Sequence, residues 1–572
     1  MTNRMTPREA VATVATIALG TGLLEATLLT AKARILGTFT WIESDAFWMA
    51  PLAYLAIYGA LALLLTAMWR WKPQSANAWT VVAPFAGLSV YFLLLSGFTT
   101  QFHWLARALL SVGAAVQLAR WYGARAAAPG WGAPAAMGLL GLTLVLAGWQ
   151  LFLPSLLPTV PTGPVPPPSA PNVLLIVMDV VRAKSLSLYG YERPTTPSLV
   201  QWARRGVVFD SAYAPSPWTL PSHSSLFTGL PHRELGVDWR IPLDRRHPVL
   251  AERFGAAGYR TGGFVGNWFY TTRQSGLARG FDQYLGLRRT LKQTMLSSTP
   301  GQLLFGSSPG QYSMERDADR RNASVVTQEF LAWSAQEDPR PFFAFLNYFD
   351  AHKPRVAPPD GYPPFVTGRS EQDGYDGNIW YIDHELGGLL AQLDRSGVLD
   401  KTVVVITSDH GELFGEHGLN GHGTNLYLPA LHVPLMILGG GVPQGVHIGR
   451  AVSLTDLAAT LEELRGVGDR SLPGRSLVGC WSGATCEPSL ISAAVTRSPW
   501  RARKTPASRG PLVTIIADGW QYIGSSTGEE QLYRLTPAAS DDNVAARPDL
   551  GETLARLRHL SEPYVLPEPK KP

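Results

Sequence analysis

Five apolar stretches fill the first 155 residues of this 572-residue chain, and nothing comparable recurs after them. They run near 11–30, 47–68, 79–98, 105–119 and 133–153. A hydrocarbon core of about 30 Å takes roughly 20 residues of helix to cross, and most of these stretches reach that length. Trp48, Trp69, Trp71, Trp79, Trp104, Trp121 and Trp149 stand near their ends, where amphipathic rings favour the membrane–water boundary. The apolar character continues far past a single signal-peptide core, so cleavage of a leader is not the expectation.

Composition agrees with a divided chain. It is 46% hydrophobic and 16% charged, against roughly a quarter charged in ordinary soluble domains. The net charge of +5 resides in residues 1–170, which hold nine Lys/Arg and four Asp/Glu; the remainder holds 40 of each. A neutral second part gives no footprint for nucleic acid.

Basic residues set the expected orientation. Arg4, Arg8, Arg70, Lys72, Arg120 and Arg125 fall on the cytoplasmic side if the N-terminus is inside, against Lys32, Arg34 and Arg107 opposite. Five crossings then place everything after residue 155 on the periplasmic, extracytoplasmic face of an inner or plasma membrane. The fourth stretch is short and carries Arg107 and Arg120 at its ends, and its crossing decides that conclusion. Glu25 lies inside the first span, where an acid is costly; an interfacial or helix-packing role is expected for it. The anticipated organisation is a helical anchor (1–156), a Pro-rich linker (157–170), a catalytic domain (171–465) and a C-terminal subdomain (466–572).

Beyond the linker, apolar runs alternate with helical patterns. Residues 173–178, 342–347 and 403–407 read as buried parallel strands. They lead into Asp179, into Asp350 and His352, and into Asp409-His410. The pattern at 378–395 is helical and is followed by Gly397. Such alternation predicts a mostly parallel sheet covered on both faces, with its binding crevice beyond the carboxyl ends of the strands. One Asp at a strand end is commonly a helix cap; several Asp and His residues brought to one edge form a constellation. Thr219 opens the stretch T-L-P-S-H-S-S-L-F-T-G, with Pro221 in the first turn of a short helix. A hydroxyl there could serve as an N-cap or, beside a divalent metal, as a nucleophile.

The segments D-V-V-R (179–182), S-L-Y-G (187–190) and T-L-P-S-H-S-S-L-F-T-G resemble the N-terminal signature of the sulfatase family, within the alkaline phosphatase superfamily. The later segments 341–354, 375–383, 407–418 and 421–427 resemble its further motifs in the same order. L-P-G-R-S-L (472–477) and E-Q-L-Y-R-L (530–535) resemble its C-terminal subdomain. The resemblance implies an alkaline-phosphatase-like α/β domain with a small C-terminal α+β subdomain, following a bundle of about five transmembrane helices.

Two departures bear on mechanism. Typical sulfatases carry at position 219 a Cys or Ser that is oxidised to formylglycine; the methyl group on Cβ of Thr219 forbids that aldehyde. Similar sulfatases also carry charged residues where this chain has Val180, His223, Asn267 and Phe269. The remaining set, Asp179, Thr219, Asp409 and His410, resembles the single-metal centre of membrane phosphoethanolamine and phosphoglycerol transferases. Its oxygen and imidazole donors favour one Zn²⁺ or Mn²⁺ ion over Ca²⁺.

The resulting expectation is a membrane-anchored hydrolase or transferase for phosphoric or sulfuric esters, with lipid or glycan head groups as candidate carriers. Thr219 is its nucleophile. His352 and His422 resemble the family's anion-binding or leaving-group histidines, while Arg182 and His223 orient the nucleophile or screen charge. His417 and His432 read as structural. A true sulfatase using unmodified Thr219 and an inactive sulfatase-fold receptor are the alternatives. Cys480 and Cys486, six positions apart, could close a small disulfide in an oxidising compartment. The oligomeric state is not legible.

Overall fold

The computed structural model describes residues 5–36, 45–71, 77–98, 102–125, 132–156, 163–286, 290–305, 321–359, 361–466, 469–483, 486, 490–497, 505–535 and 542–567. Arg4, Lys72 and linker residues 157–162 lie outside them. Internal contacts divide the chain into two units, residues 1–158 with 288–317, and residues 159–287 with 318–572.

The first unit contains five helices where the five apolar stretches lie: α1 (Pro7–Leu36), α2 (Ala46–Trp71), α3 (Val82–Gly97), α4 (Trp104–Arg125) and α5 (Gly132–Leu156). Three of the described helices, at Pro7–Ala33, Ala46–Thr66 and Gly132–Leu151, are long and apolar enough to cross a membrane. At about 1.5 Å per residue the 16 residues of α3 fall short of a full hydrocarbon core. Basic side chains dilute α4, so of the five helices three meet the length and composition of a crossing on their own.

Small residues let these helices approach closely. A Cβ added to Gly22 would lie 2.4 Å from the backbone nitrogen of Pro51 in α2, so only glycine fits that contact. Glu25 is 1% exposed and accepts hydrogen bonds from the backbone N–H (3.2 Å) and hydroxyl of Thr299. The acid therefore does pack helices, but its partner comes from a distant stretch of sequence.

The second unit is built on an eight-stranded sheet. Its strands are β1 (Asn172–Met178), β2 (Gly206–Tyr213), β3 (Arg260–Val265), β4 (Gln283–Leu285), β5 (Phe342–Tyr348), β6 (Thr402–Thr407), β9 (His432–Leu438) and β10 (Val446–Ser453). Between β6 and β9 a small hairpin pairs β7 (Leu413–Phe414) with β8 (Asn420–Gly421). The order across the large sheet is β10-β2-β9-β6-β1-β5-β3-β4. Only β9 runs antiparallel to its neighbours β2 and β6; every other pairing is parallel. The central strands are buried on both faces, which explains their unbroken apolar runs. Aromatic rings thicken one layer: Phe343 stacks 4.4 Å from Phe254 and 5.7 Å from Phe281, centroid to centroid. Complete burial of such a side chain is worth about 1.5–3 kcal/mol.

Five further helices matter below: α6 (Thr219–Thr228), α7 (Leu291–Leu296), α8 (Thr299–Phe305), α9 (Ala323–Ser334) and α10 (Glu371–Arg395). The helical pattern read at 378–395 thus begins a turn and more earlier. Ser370 caps α10 by accepting from the Asp373 N–H, and Gly397 follows its end with φ of 69°. A second, four-stranded antiparallel sheet joins β11 (Ile491–Val495), β12 (Leu512–Ala517), β13 (Trp520–Ser525) and β14 (Glu530–Arg534). A C-terminal helix, Gly551–Ser561, covers it through Leu557, which packs with Ile515, Tyr522 and Leu532. Cys480 and Cys486 are joined by a disulfide.

Candidate active site

Parallel register brings four strand ends to one edge. Val177 of β1 is level with Asn347 of β5 and Thr407 of β6, and Asn347 is level with Val265 of β3. Asp179, Asp409 and Asn267 each lie two residues beyond those positions, while Asn347 lines the same edge from within its strand. The runs end in polar residues here because strand carboxyl ends open onto the crevice rather than the core.

Carboxylate oxygens of Asp179 and Asp409 and a ring nitrogen of His410 lie within 4.8 Å of one another, all three residues buried. Asp409 Oδ1 accepts from the backbone N–H of Val180 (3.0 Å) and of His410 (2.9 Å). Its Oδ2 is buried and has no hydrogen-bond partner; it lies 3.4 Å from His410 Nε2 and 3.5 Å from His223 Nδ1. A buried carboxylate oxygen left without a donor is costly unless a cation completes it. His410 Nδ1–H donates to the carbonyl of Gly411 (3.0 Å), which leaves the Nε2 lone pair facing the carboxylates. Burial, opposed in part by Asp409, lowers His410 to about 4, so the ring is a neutral ligand at physiological pH. The donor set fits a divalent metal.

Thr219 is the first residue of α6, 2% exposed. Trp218, not Thr219, occupies the N-cap position, and its side chain makes no cap hydrogen bond. The Thr219 hydroxyl is thus released from capping and lies 3.3 Å from His410 Nε2. His223, one turn on, donates from Nδ1 to the Thr219 carbonyl (2.9 Å); burial lowers its pKa.

His422 closes the other side, its ring 4.5 Å from His410, 5.3 Å from His352 and 5.4 Å from Trp218. The β7–β8 hairpin explains this placement: Leu413 pairs with Gly421, so the preceding Glu412 and the following His422 face one another. A Cβ on Gly423 would fall 1.7 Å from the Trp218 ring, so glycine is required where this loop passes the tryptophan. His352 stacks on Phe349 at 4.5 Å and donates from Nδ1 to the Lys353 carbonyl (2.7 Å).

Arg182 sits elsewhere. Its guanidinium donates to Ser185 Oγ, to the Glu412 carbonyl and to Glu416 (2.7 Å), so it orders the 412–416 loop instead of touching Thr219. Asp350 also stays out of the cluster, accepting from the Ala323 N–H at the start of α9. His417 stacks on Tyr427, and His432 lies against Tyr189 and Tyr213.

Four residues that sequence reasoning did not single out as ligand supports complete the site. Asn267 Nδ2 donates to Asp179 Oδ2 (2.8 Å), and Asn347 Nδ2 approaches the same oxygen at 3.3 Å. Asn347 Oδ1 in turn accepts from the Asn267 N–H (2.9 Å). A polar residue closing the apolar run 342–347 was the available signal. Glu412 receives Arg355 Nη2 at 2.7 Å and lies 3.8 Å from His422 Nδ1. Burial alone would raise its carboxyl, but His422 and the charges of Arg355 and His352 outweigh burial and hold it at about 2.

The sulfatase family model matches residues 171–467. The chain belongs to the sulfatase family. Within that family it is similar to choline-sulfatase of Rhizobium meliloti, 27% identical over 431 residues, which cover 64% of this chain and 80% of that protein. Arylsulfatase K of Bos taurus is 25% identical over 452 residues, 69% and 82% of the two chains. Among solved structures, the phosphonate monoester hydrolase of Agrobacterium radiobacter shares the fold with a TM-score of 0.53 and 23% identity, over 68% of this chain and 94% of that one. Membership makes this a sulfatase-family hydrolase, with Asp179, Asp409 and His410 as its candidate metal site.

Proposed function

We propose that this sulfatase-family chain cleaves phosphoric or sulfuric esters with the unmodified Thr219 hydroxyl as nucleophile, at one divalent metal held by Asp179, Asp409, His410 and Thr219. The observation that carries the reading is Thr219 Oγ1 at 3.3 Å from the His410 nitrogen that faces the carboxylates. The donor chemistry favours Zn²⁺ or Mn²⁺.

When bound, the cation supplies positive charge that eases ionisation of the Thr219 hydroxyl and offsets charge on the ester. The Thr219 proton leaves to solvent. Oγ1 then forms a bond to phosphorus or sulfur as the bond to the leaving oxygen breaks. His422, its ring 4.5 Å from that of His410, or His352, 5.3 Å beyond His422, gives that oxygen its proton. The resulting phospho- or sulfothreonine is resolved by water, or by an acceptor hydroxyl in a transferase: the new bond to phosphorus or sulfur forms as the bond to Oγ1 breaks, the attacking group's proton returns to the same histidine, and Oγ1 regains a proton from solvent. Glu412 holds His422 in place.

The anchor belongs to the same proposal. Helices α1, α2 and α5 span a membrane, α3 and α4 complete a five-span bundle up to residue 156, and the catalytic domain (171–465) and C-terminal subdomain (466–572) work on the extracytoplasmic side. The Cys480–Cys486 bridge suits an oxidising compartment. Tethering favours esters on lipid or glycan.

A second reading, a true sulfatase, is favoured by the similarity to choline-sulfatase. Acid-quenched protein incubated with ³²P- or ³⁵S-labelled aryl esters separates the two. Label is expected on the peptide containing Thr219, from one ester class. Turnover with label on another residue overturns the nucleophile.

A further inference from the structure

The chain leaves the second unit after β4 and returns to it before α9, and the residues between belong to the first unit. Both stems of this excursion stand on the edge of the sheet that carries the site. Leu285 ends β4 level with Phe264 of β3, three residues before Asn267. Arg321 Nη1 donates to the Gly286 carbonyl (3.2 Å), so departure and return meet at one point.

Within the first unit the described part of the excursion, residues 290–305, makes two kinds of surface. One is buried and polar: Thr299, Pro300 and Gly301 are buried, and Thr299 meets the Glu25 carboxylate of α1 through its N–H and hydroxyl. The other is apolar and uncovered: Leu291 is 78% exposed, Leu303 45%, Leu304 63% and Phe305 55%. Three consecutive large apolar side chains at one helix end are not the random scatter of single apolar residues that soluble surfaces tolerate. The anchor helices also carry outward apolar side chains. Leu24, the neighbour of Glu25, is 54% exposed, and Phe98 at the end of α3 is 40% exposed.

We propose that α7 and α8 are a lipid-contacting strap: Thr299 ties them to Glu25 of the anchor, and Leu291, Leu303, Leu304 and Phe305 lie in the acyl-chain region of the bilayer. The strap is a second membrane attachment supplied from inside the catalytic sequence. It rests on the reading that α1, α2 and α5 span the membrane. The partner is the apolar part of a lipid bilayer, because the uncovered side chains are large and apolar and their helices are tied, through Thr299 and Glu25, to a helix of spanning length and apolarity.

The test uses the full chain in phosphatidylcholine nanodiscs. The described residues contain no free cysteine, so Leu304→Cys can carry one environment-sensitive fluorophore. Leu64→Cys, at a 74% exposed position of α2, reports on the anchor, and Thr527→Cys in the second unit is the aqueous control. Brominated lipid should quench the label at 304 to within about two-fold of that at 64, while iodide quenches the label at 527 at least about five-fold more than the label at 304. If lipid quenches position 64 but iodide quenches 304 as it does 527, the strap is overturned and the anchor stands. If lipid quenches neither, the anchor reading falls with it. A label at 304 shielded from both quenchers means that protein covers the patch, which also overturns the proposal.

Discussion

Asn267 Nδ2 donates across 2.8 Å to Oδ2 of Asp179, the oxygen that Asn347 also approaches. The two amides fix the orientation of the carboxylate without neutralising it. Asn267→Ala removes the shorter contact and leaves Asp179 free to turn. Supporting contacts of this kind change metal affinity by about 10–100-fold. A competitive chelator titration should show weakening of that order for Asn267→Ala, and the thermal midpoint of the metal-free protein should fall as well, because Asn267 Oδ1 also accepts from the buried N–H groups of Phe269 and Tyr270.

Thr219→Ala deletes the hydroxyl and leaves three metal ligands. Turnover should fall by about 10³-fold or more, as for other covalent nucleophiles, with metal content close to one per chain by elemental analysis. Thr219→Ser keeps the hydroxyl and should retain measurable turnover. Near-normal activity of the alanine variant would remove Thr219 from the chemistry.

Chelation should abolish turnover and lower the thermal midpoint together, because an ion that binds only the folded state adds about 2.7 kcal/mol at 100 times its Kd. Zn²⁺ or Mn²⁺ should restore both properties and Ca²⁺ should not. Asp409→Ala should be insensitive to added metal. Restoration by Ca²⁺ alone would reassign the ion.

Val180 adopts φ of 60°, a left-handed conformation that a β-branched residue rarely takes. Tyr375 holds it there: its hydroxyl donates to the Val180 carbonyl (2.8 Å) and accepts from the Arg182 N–H (2.9 Å). Tyr375→Phe strands both buried backbone groups, at about 1–3 kcal/mol for each unsatisfied group. Urea unfolding should show destabilisation of that size, accompanied by a loss of turnover as Asp179 shifts.

Glu412 is depressed in the folded protein, from 4.5 to about 2. Its ion pairs therefore contribute stability that is fully present above about 4.5 and is lost as pH falls toward 2. Glu412→Gln lacks that contribution at every pH. The gap in urea midpoint between wild type and Glu412→Gln should be widest at pH 5 and above, and should narrow at pH 3. A gap that widens in acid would contradict the sign.

Much of the fold was legible because burial on two faces writes itself locally: β1, β5 and β6 are unbroken apolar runs, and α10 carries its period. Asp179, Thr219, Asp409 and His410 were legible because each interrupts or follows such a run, and because their surrounding motifs resemble a known family. Arg182 was misplaced by the same reasoning. It stands in the right motif, but its guanidinium turns to Glu416, and side-chain direction is set by partners more than 200 positions away.

The order of the residues alone determined that an apolar helical segment precedes an α/β domain, since hydropathy and periodicity are properties of neighbouring residues. Only the tertiary structure decided that Asn267 and Asn347 share one oxygen of Asp179, that Glu412 faces His422, and that Thr299 meets Glu25. Those contacts join positions 10 to 274 residues apart, and such pairing is chosen by the packing of whole elements, which no local pattern records.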